Sequence, residues 1–463
     1  MNGAGDRLRI VAARWLSVAL LTITVAALAA TAQRRLAQAA ILVGFAIVSW
    51  AFGVFAEPLT TLLFFLLAAI FHVAKPETIF SGFASSAWWL VFGGSVTAIA
   101  VHSSGLGGRL AHLLSGQVRG SYHRAVAAVA FGSVVLSFLM PSTLGRVLLL
   151  MPIVIALAAK LGLAPGRPGH TGLVVTVAAA SYMPSTTILP ANVPNSVLLG
   201  AAESMYGIKL TYGRYLLLHF PILGALKTVV LIWLVCRLFP ERDALSTAFA
   251  DETGPLSQRE RRLAIVLAFS LILFATDFIH GISPAWVSLA TGIVCLLPGV
   301  GLVTAKEFSE QLNVATLLYI AGILGLGALV ADSSLSRVLS AHLLRIFPLA
   351  PGHTLANLAV MSAMSAAVAA LTTVSGVPAV LTPLAADFAA ATGLPLLTVL
   401  MLQVVVFSTV FLPFESPPMM VALQLGNVGA GAGAKLCLAL AAITILVLLP
   451  LDYFWWRLLG YLP

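Results

Sequence analysis

The sequence predicts an all-α polytopic membrane protein, with about 11 transmembrane helices arranged as two inverted repeats. Of its 463 residues, 60% are hydrophobic and only 9% are charged, and the mean hydropathy is +1.04. A soluble domain carries roughly a quarter charged residues. Apolar runs of membrane-spanning length recur from end to end, and breaks rich in Pro and Gly interrupt them at matching positions in the two halves.

The basic excess is explained best by membrane topology. The formal net charge is +9, and the basic residues cluster in short loops between apolar runs, as the positive-inside rule requires. We therefore expect a lipid bilayer as partner and no nucleic acid. The three cysteines, Cys236, Cys295 and Cys437, form no CxxC pair, so no disulfide framework or metal site is predicted.

The chain divides into four segments around one long polar linker. Arginines bracket this linker, which places it and the N-terminus in the cytoplasm of a protein of the cell (inner) membrane. Two further polar segments, 106–118 and 335–346, are predicted to be amphipathic helices lying at the membrane surface. The four segments are an N-terminal helix at 1–35, a first repeat at 36–239, the linker at 240–262 and a second repeat at 263–463.

Each repeat is predicted to contain a re-entrant hairpin followed by a discontinuous helix. Irregular backbone at membrane depth is tolerated only where protein or a water-filled cavity satisfies it, so these breaks indicate a site. The spacing of Pro152 and Gly162 in the first hairpin recurs as Pro383 and Gly393 in the second. The hairpins are placed at about 134–162 and 372–393, and the broken helices at about 171–200 and 395–426.

Hairpin tips and helix breaks expose backbone N–H and C=O groups, which favour anions and cations respectively. We expect the two hairpin–break pairs to face each other and form one central site. The candidate substrate-binding residues are Ser142, Thr143, Arg146, Asn195, Thr373, Ser375, Ser416 and Pro417. The candidate cation-binding residues are Ser142, Gly145, Asn192, Thr373, Gly376 and Glu415.

Three ionisable residues at membrane depth each allow two interpretations. Arg146 could grip an anion with parallel hydrogen bonds, or pair with an acid such as Glu415, and the two are compatible. Lys227 could be a counter-ion, or a structural residue whose ammonium snorkels to a wet interface. Asp387 could bind a proton or cation, or make a polar contact to a neighbouring helix.

The tips and breaks resemble those of the divalent anion:sodium symporters, also called sodium:sulfate/dicarboxylate symporters, of the ion transporter superfamily. Segments 142–144 (STL) and 373–375 (TVS) stand where this family has a Ser-Asn-Thr signature at each tip. Segments 192–195 (NVPN) and 416–419 (SPPM) stand where it has Thr-Pro-Pro-Asn-like breaks. The resemblance covers about residues 36–456.

This chain departs from the family pattern at the tips. Thr143 and Val374 replace the two asparagines, and Arg146 stands where the family has a small or hydroxyl residue. The family associates those asparagines with sodium and substrate carboxylates. A fixed arginine charge would supply part of the positive charge that bound sodium supplies there, so we expect weak sodium dependence, exchange or proton coupling.

The resemblance implies a secondary active transporter of a small divalent anion, such as a dicarboxylate or sulfate. It also implies elevator-type alternating access, a homodimer, and Na⁺ as the candidate coupling ion with no other cofactor. The alternatives are a proton-coupled or exchange-type anion transporter, or an anion channel on the same fold. No enzyme is expected, because HExxH, GxSxG and paired catalytic aspartates are all missing from the sequence.

Overall fold

The computed structural model describes residues 3–31, 34–106, 109, 121–241 and 255–462, and these residues form helices and connecting turns without any strand. The predicted all-α class is confirmed, and the protein is a multi-pass helical membrane protein. The total of 11 spans and the inversion of the repeats stay predictions. Within these ranges, five helices are long and apolar enough to cross a membrane: Tyr122–Leu139, Thr143–Lys160, Tyr212–Leu238, Val314–Asp332 and Ala430–Leu458.

The helices group into two compact units, each assembled from three stretches of chain. The chain passes from one unit to the other five times, and three of these passages lie inside helices Ser86–Ser104, Val193–Tyr206 and Leu396–Phe407. The first unit comprises Met1–Trp88, Val197–Ile208 and Asn313–Gln403. The second comprises Trp89–Ser196, Lys209–Leu312 and Val404–Pro463.

The first unit is built around helix Val314–Asp332. Small residues let its neighbours approach closely: Gly82 packs against the backbone of Ala321, and Gly325 packs against that of Ile79. Such contacts are typical of helix packing in membranes. The other helices of this unit are Gly3–Ala30, Arg35–Phe52, Glu57–Ile70, Pro76–Ile79, Ser81–Ala84, Leu335–Ile346 and Thr354–Leu371, with the hairpin pieces described next.

The segment that was predicted to form the second hairpin lies in the first unit. After helix Thr354–Leu371 the chain breaks, and it resumes as Gly376–Leu381, a 3₁₀ turn and Ala385–Thr392. Gly393 adopts a left-handed conformation with φ +72°, which ends that helix. The segment Gly376–Thr392 and helix Leu396–Phe407 are bent by 120° from each other.

The helix Leu335–Ile346 has the predicted bounds of an amphipathic segment. Its Ser340 hydroxyl donates a 2.5 Å hydrogen bond to Asp387 Oδ2. This contact supports the interpretation of Asp387 as a polar contact to a neighbouring helix. The other predicted amphipathic segment, 106–118, lies outside the described residues except for Leu106 and Arg109, and so do residues 242–254 of the linker.

The second unit holds the segments that were predicted to form the first hairpin and the first broken helix. Ser142 caps helix Thr143–Lys160 by accepting a hydrogen bond from Gly145 N at 3.1 Å. Pro141, at the break, packs against Gly94. The helices that complete this unit include Pro168–Tyr182, Gln258–Ala275, Asp277–His280, Pro284–Leu296, Ala305–Gln311 and Pro417–Leu425, with 3₁₀ turns at Pro184–Thr187 and Pro413–Glu415.

Two long helices of the second unit contain π-helical turns. These turns are Phe220–Leu226, within Tyr212–Leu238, and Thr444–Leu448, within Ala430–Leu458. Such turns widen a helix by one residue and frequently mark functional positions. Both lie beside buried ionisable groups, Lys227 and Asp452.

An ion pair outside the spans joins the two halves of the sequence. Arg109 Nε donates a 2.9 Å hydrogen bond to Glu260 Oε1, and Glu260 also completes a capping box with Ser257. The hydrogen bond from Arg109, together with those of the capping box, lowers the pKa of Glu260 from 4.5 to about 2. Glu260 lies in the first turn of helix Gln258–Ala275, which is not among the five membrane-spanning candidates.

Glu260 should make folding stability acid-sensitive. Its folded pKa is depressed, so its contribution is complete above about pH 4.5 and is lost as the pH falls toward about 2. We expect Glu260→Gln to lower the unfolding temperature at neutral pH and to reduce its decline in acid. Thermal unfolding of the detergent-solubilised protein measures both.

The matched control is Glu310→Gln, since Glu310 is exposed and its contact with Lys306 is 4.0 Å long. This variant should follow the wild-type acid profile. An unchanged profile in Glu260→Gln would show that the capping ion pair does not contribute to the acid sensitivity.

Candidate functional site

The guanidinium of Arg146 lies at the centre of the candidate site and is fully buried, with 0% exposure. Nη1 donates to the carbonyl of Met140 and, at 3.0 Å, to that of Ala191. Nη2 donates to Ser181 O at 2.8 Å and to Thr143 Oγ1 at 3.0 Å. One side chain therefore ties together the first hairpin tip, the end of helix Pro168–Tyr182 and the first helix break.

The predicted pairing of Arg146 with Glu415 is not present in this structure. No acidic group of the described residues forms an ion pair with Arg146, and Glu415 accepts a 3.1 Å hydrogen bond from Phe411 N. Backbone carbonyls carry partial negative charge only, so the arginine charge is not neutralised by its hydrogen bonds. The site therefore holds a net positive charge inside the membrane-spanning region.

The first break is organised by two buried asparagines. Asn192 Oδ1 accepts from Asn195 N at 3.2 Å, which caps helix Val193–Tyr206. Asn195 Nδ2 donates to Ile188 O at 2.8 Å and to Ser185 O at 3.3 Å. The amides thus satisfy the irregular backbone between residues 185 and 192, as membrane depth requires.

The two helices that lead into the breaks meet at their C-terminal ends. The hydroxyl of Tyr182 donates a 3.0 Å hydrogen bond to the carbonyl of Phe407. Tyr182 ends the helix before the first break, and Phe407 ends the helix before the second. Helix Pro168–Tyr182 also packs against Pro417–Leu425, and His170 Nε2 lies 2.9 Å from Gly426 O.

Four buried polar atoms of these segments have no hydrogen-bond partner among the described protein atoms. They are Arg146 Nε, Ser181 Oγ, Asn195 Oδ1 and Ser416 Oγ. Buried polar groups are nearly always paired in native proteins, so each unpaired one calls for a ligand, an ion or water. Three of these residues were predicted from sequence, whereas Ser181 was missed because it stands inside an apolar helix without any break signal.

The predicted site residues of the first unit, Thr373, Ser375 and Gly376, lie at the second tip. Gly376 N donates to Thr373 O at 2.9 Å, and the hydroxyl of Tyr319 interacts with Thr373 and Ser375. These residues belong to the first unit, whereas Arg146, Asn195 and Ser416 belong to the second. The predicted central site formed by both tips stays a prediction. Tyr319 had no sequence signal, since it lies within an unbroken apolar run.

The other second-unit candidates have local structural roles. Ser142 and Gly145 form the helix cap described above, and Pro417 occupies the first turn of helix Pro417–Leu425, where proline is favoured. Glu415 closes the 3₁₀ turn that precedes it. The carbonyls of Met140, at the first tip, and Ala191, at the first break, could bind a cation. In this structure both accept hydrogen bonds from Arg146.

These features match a known family of membrane proteins. The family profile described as the sodium:sulfate symporter transmembrane region matches residues 8–462. The chain belongs to the sodium:sulfate symporter family. This family membership confirms the resemblance seen at the tips and breaks, and extends it to nearly the whole chain.

Two curated relatives of this symporter-family chain are bacterial membrane proteins. The inner membrane protein YbhI of Escherichia coli is 24% identical over 56% of this chain and 56% of its own length. An L-tartrate/succinate antiporter of Escherichia coli is 26% identical over 46% of this chain and 48% of its own length. The chain thus spans about half the length of these relatives.

A solved structure shares the fold of this sodium:sulfate symporter family member. The YdaH transporter of Alcanivorax borkumensis superposes with a TM-score of 0.55 and 17% sequence identity. The match covers 83% of this chain and 86% of that one. At this identity the likeness concerns the fold alone, and it supports the helical transporter architecture.

Removal of the Arg146 guanidinium should strongly destabilise the protein. Arg146→Met keeps an apolar stem of similar length but leaves the carbonyls of Met140, Ser181 and Ala191 without that donor. Because an unpaired buried polar group costs about 1–3 kcal/mol, we expect a loss of at least about 3 kcal/mol. The midpoint of unfolding in detergent measures it.

Arg124→Met is the matched control, because Arg124 is exposed on the other arm of the same hairpin. This variant should unfold close to the wild-type midpoint. If Arg146→Met were as stable as Arg124→Met, the guanidinium would not be what holds the tip and the break together.

Proposed function

We propose that this protein is a secondary active transporter of a small divalent anion. The observation that carries the proposal is the buried Arg146 charge, which has no acidic partner among the described residues, beside unpaired polar atoms at both helix breaks. A positive charge in a low-dielectric site attracts an anion far more strongly than it would in water. The family membership and the transporter relatives support the same assignment.

The groups available for a direct contact are the unpaired ones. Four of the five N–H bonds of Arg146 point to carbonyls and to Thr143, so the guanidinium acts mainly as a fixed charge behind the site. The hydroxyls of Ser181 and Ser416 can donate to anionic oxygens. We infer that the hydroxyls contact the anion and that Arg146 supplies the field.

Dicarboxylates are the first substrates to test, and sulfate is the second. One relative is named an L-tartrate/succinate antiporter, and the family profile is described by sodium:sulfate symport. Succinate, tartrate and sulfate share two negative charges and clusters of oxygen acceptors. A site with one fixed positive charge and hydroxyl donors suits that shared chemistry.

The proposal also concerns which ion or substrate gradient drives transport. We propose that sodium contributes weakly at the first tip, because the carbonyls there already bind the Arg146 guanidinium. Exchange of one anion for another or proton coupling would then drive transport. Elevator-type movement and a homodimer complete the proposal by analogy with the family. The cytoplasmic placement of the N-terminus and linker rests on the positive-inside rule.

An anion channel on the same fold is the second candidate. A channel conducts down a gradient without counter-substrate, whereas a transporter shows uptake stimulated by substrate on the opposite side. Counterflow of radiolabelled succinate in proteoliposomes, preloaded or not with unlabelled succinate, separates the two. We expect preloading to stimulate uptake.

Deletion of the Ser416 hydroxyl should reduce transport without reducing stability. Ser416 Oγ is buried and has no hydrogen-bond partner in the part of the chain that the structure describes, so Ser416→Ala removes no hydrogen bond seen there. A hydrogen bond to a charged group contributes about 1.5–3 kcal/mol, so succinate affinity should fall by roughly tenfold or more. Counterflow at several succinate concentrations and thermal unfolding provide the two measurements.

Ser133→Ala is the control for hydroxyl deletion. Ser133 is equally buried, but its hydroxyl donates to Val129 O at 2.8 Å within its own helix. Succinate affinity should stay at the wild-type value in this variant. Equal transport by Ser416→Ala and Ser133→Ala would remove Ser416 from the anion site.

Sodium should have little effect on wild-type transport. Because the carbonyls of Met140, Ser181 and Ala191 are occupied by Arg146, replacing sodium with choline should leave succinate counterflow within about twofold of its original rate, which is less than 0.5 kcal/mol. Choline is too large to enter a sodium site. A loss of counterflow in choline would contradict the fixed-charge account and favour sodium coupling.

A further inference from the structure

A second group of buried ionisable side chains lies in the second unit, apart from the Arg146 cluster. Lys227 is 1% exposed, Asp452 is 3% exposed and His219 is 0% exposed. They belong to the two long helices Tyr212–Leu238 and Ala430–Leu458. Ionisable groups inside membrane spans are costly and mark proton or ion pathways by default.

Lys227 is linked directly to the second helix break. Its ammonium donates a 2.7 Å hydrogen bond to the carbonyl of Ser408. Ser408 is the first residue after helix Leu396–Phe407, and the same break continues to Ser416. The ammonium is enclosed by protein, so the interpretation that Lys227 snorkels to a wet interface is wrong.

Asp452 is the acid that acts on Lys227. The charges of the two groups interact, but they do not form a direct ion pair, and Asp452 Oδ1 has no hydrogen-bond partner among the described atoms. The helices that carry them are in contact, since Leu449–Leu458 packs against the π-helical turn Phe220–Leu226. The Asp452 carboxyl group is thus buried without a direct ion-pair partner among the described residues.

The other titratable groups around this pair come from three elements. Cys437, on the same long helix as Asp452, interacts electrostatically with both Lys227 and Glu415. Glu415 belongs to the second break itself. His219 contacts the rings of Tyr215 and Trp456, at centroid distances of 4.7 and 5.7 Å, and neither of its ring nitrogens has a partner among the described atoms.

The backbone at both groups is suited to movement. Lys227 follows directly after the π-helical turn Phe220–Leu226, and Asp452 lies one turn after Thr444–Leu448. A π-helical turn interrupts the regular hydrogen bonding of an α-helix and is frequently found at functional sites. A change in the attraction between Lys227 and Asp452 can therefore move these helices.

We propose that Asp452, together with Lys227, is a proton-binding site that couples anion transport to protons. A proton from one aqueous phase binds the Asp452 carboxylate, and Lys227 then keeps the Ser408 carbonyl as its partner, which is the arrangement seen here. When Asp452 releases the proton to the other phase, its carboxylate attracts the ammonium away from Ser408. Proton occupancy thereby changes the break that holds Ser416. This inference rests on the proposed anion transport.

The experiment compares two driving forces in the same proteoliposomes, with radiolabelled succinate as probe. An inward gradient of one pH unit supports up to about tenfold accumulation for one coupled proton, so acid outside should stimulate wild-type uptake. In Asp452→Asn this stimulation should be lost, whereas gradient-free succinate counterflow should remain. Asp452→Asn keeps the size of the side chain and removes only the proton site.

Asp277→Asn is the matched control. Asp277 is also a buried acid of the second unit, and it accepts a hydrogen bond from Tyr212 N at the end of its span. This variant should keep the pH stimulation. A purely structural role of Asp452 would lower thermal stability and reduce both kinds of uptake in parallel, and that result would overturn the proposal.

The remaining experimental outcomes also test the proposed proton site. If Asp452→Asn does not fold, Asp452→Glu is the second variant, because it keeps a carboxyl group that can bind a proton. Its succinate uptake should resemble that of the wild type but with a shifted pH profile. An unshifted profile overturns the proposal. Wild-type counterflow without pH stimulation overturns this inference and leaves the proposed function intact. No wild-type counterflow of succinate, L-tartrate or sulfate overturns both.

Discussion

The arrangement of the second unit depends on one interaction, the binding of a buried guanidinium by backbone carbonyls. Arg146 contacts carbonyls of the hairpin tip, of helix Pro168–Tyr182 and of the break that follows it. A broken helix inside a membrane leaves carbonyls that need a donor or a cation. The Arg146 side chain is a cation that is always present, so it satisfies these carbonyls permanently. Because no acid of the described residues neutralises it, its positive charge also remains available to an anion.

At the second break, Lys227 binds a backbone carbonyl as Arg146 does at the first. Its ammonium donates to Ser408 O, as Arg146 donates to Ser181 O, and Tyr182 joins the two helix ends through Phe407. The two cations differ in kind. The guanidinium of arginine stays charged under all conditions, whereas lysine beside an aspartate can respond to protons. One cation is thus suited to a constant field and the other to a switch.

The sequence predicted the positions of the breaks better than the contacts across them. Pro141, Pro184 and Pro417 all stand at helix ends in the structure, because proline removes a donor and disrupts the preceding turn. Pro152 was also expected to break its segment, but it lies inside the continuous helix Thr143–Lys160. Arg146 was identified because a charge is conspicuous in an apolar run. Its carbonyl partners were not predictable, since backbone acceptors carry no sequence signal. Ser181 and the burial of Lys227 depend on packing between distant segments, which periodicity does not specify.

We propose that the anion binds at the two breaks of the second unit, in front of the Arg146 charge. An electron cryo-microscopy structure in lipid nanodiscs with saturating bromosuccinate tests this binding site, because bromine marks the ligand. We expect ligand density within hydrogen-bonding distance of the Ser416 or Ser181 hydroxyl, with the Arg146 guanidinium still on its carbonyls. Density elsewhere, or an Arg146 side chain released to bind the carboxylates, would contradict it.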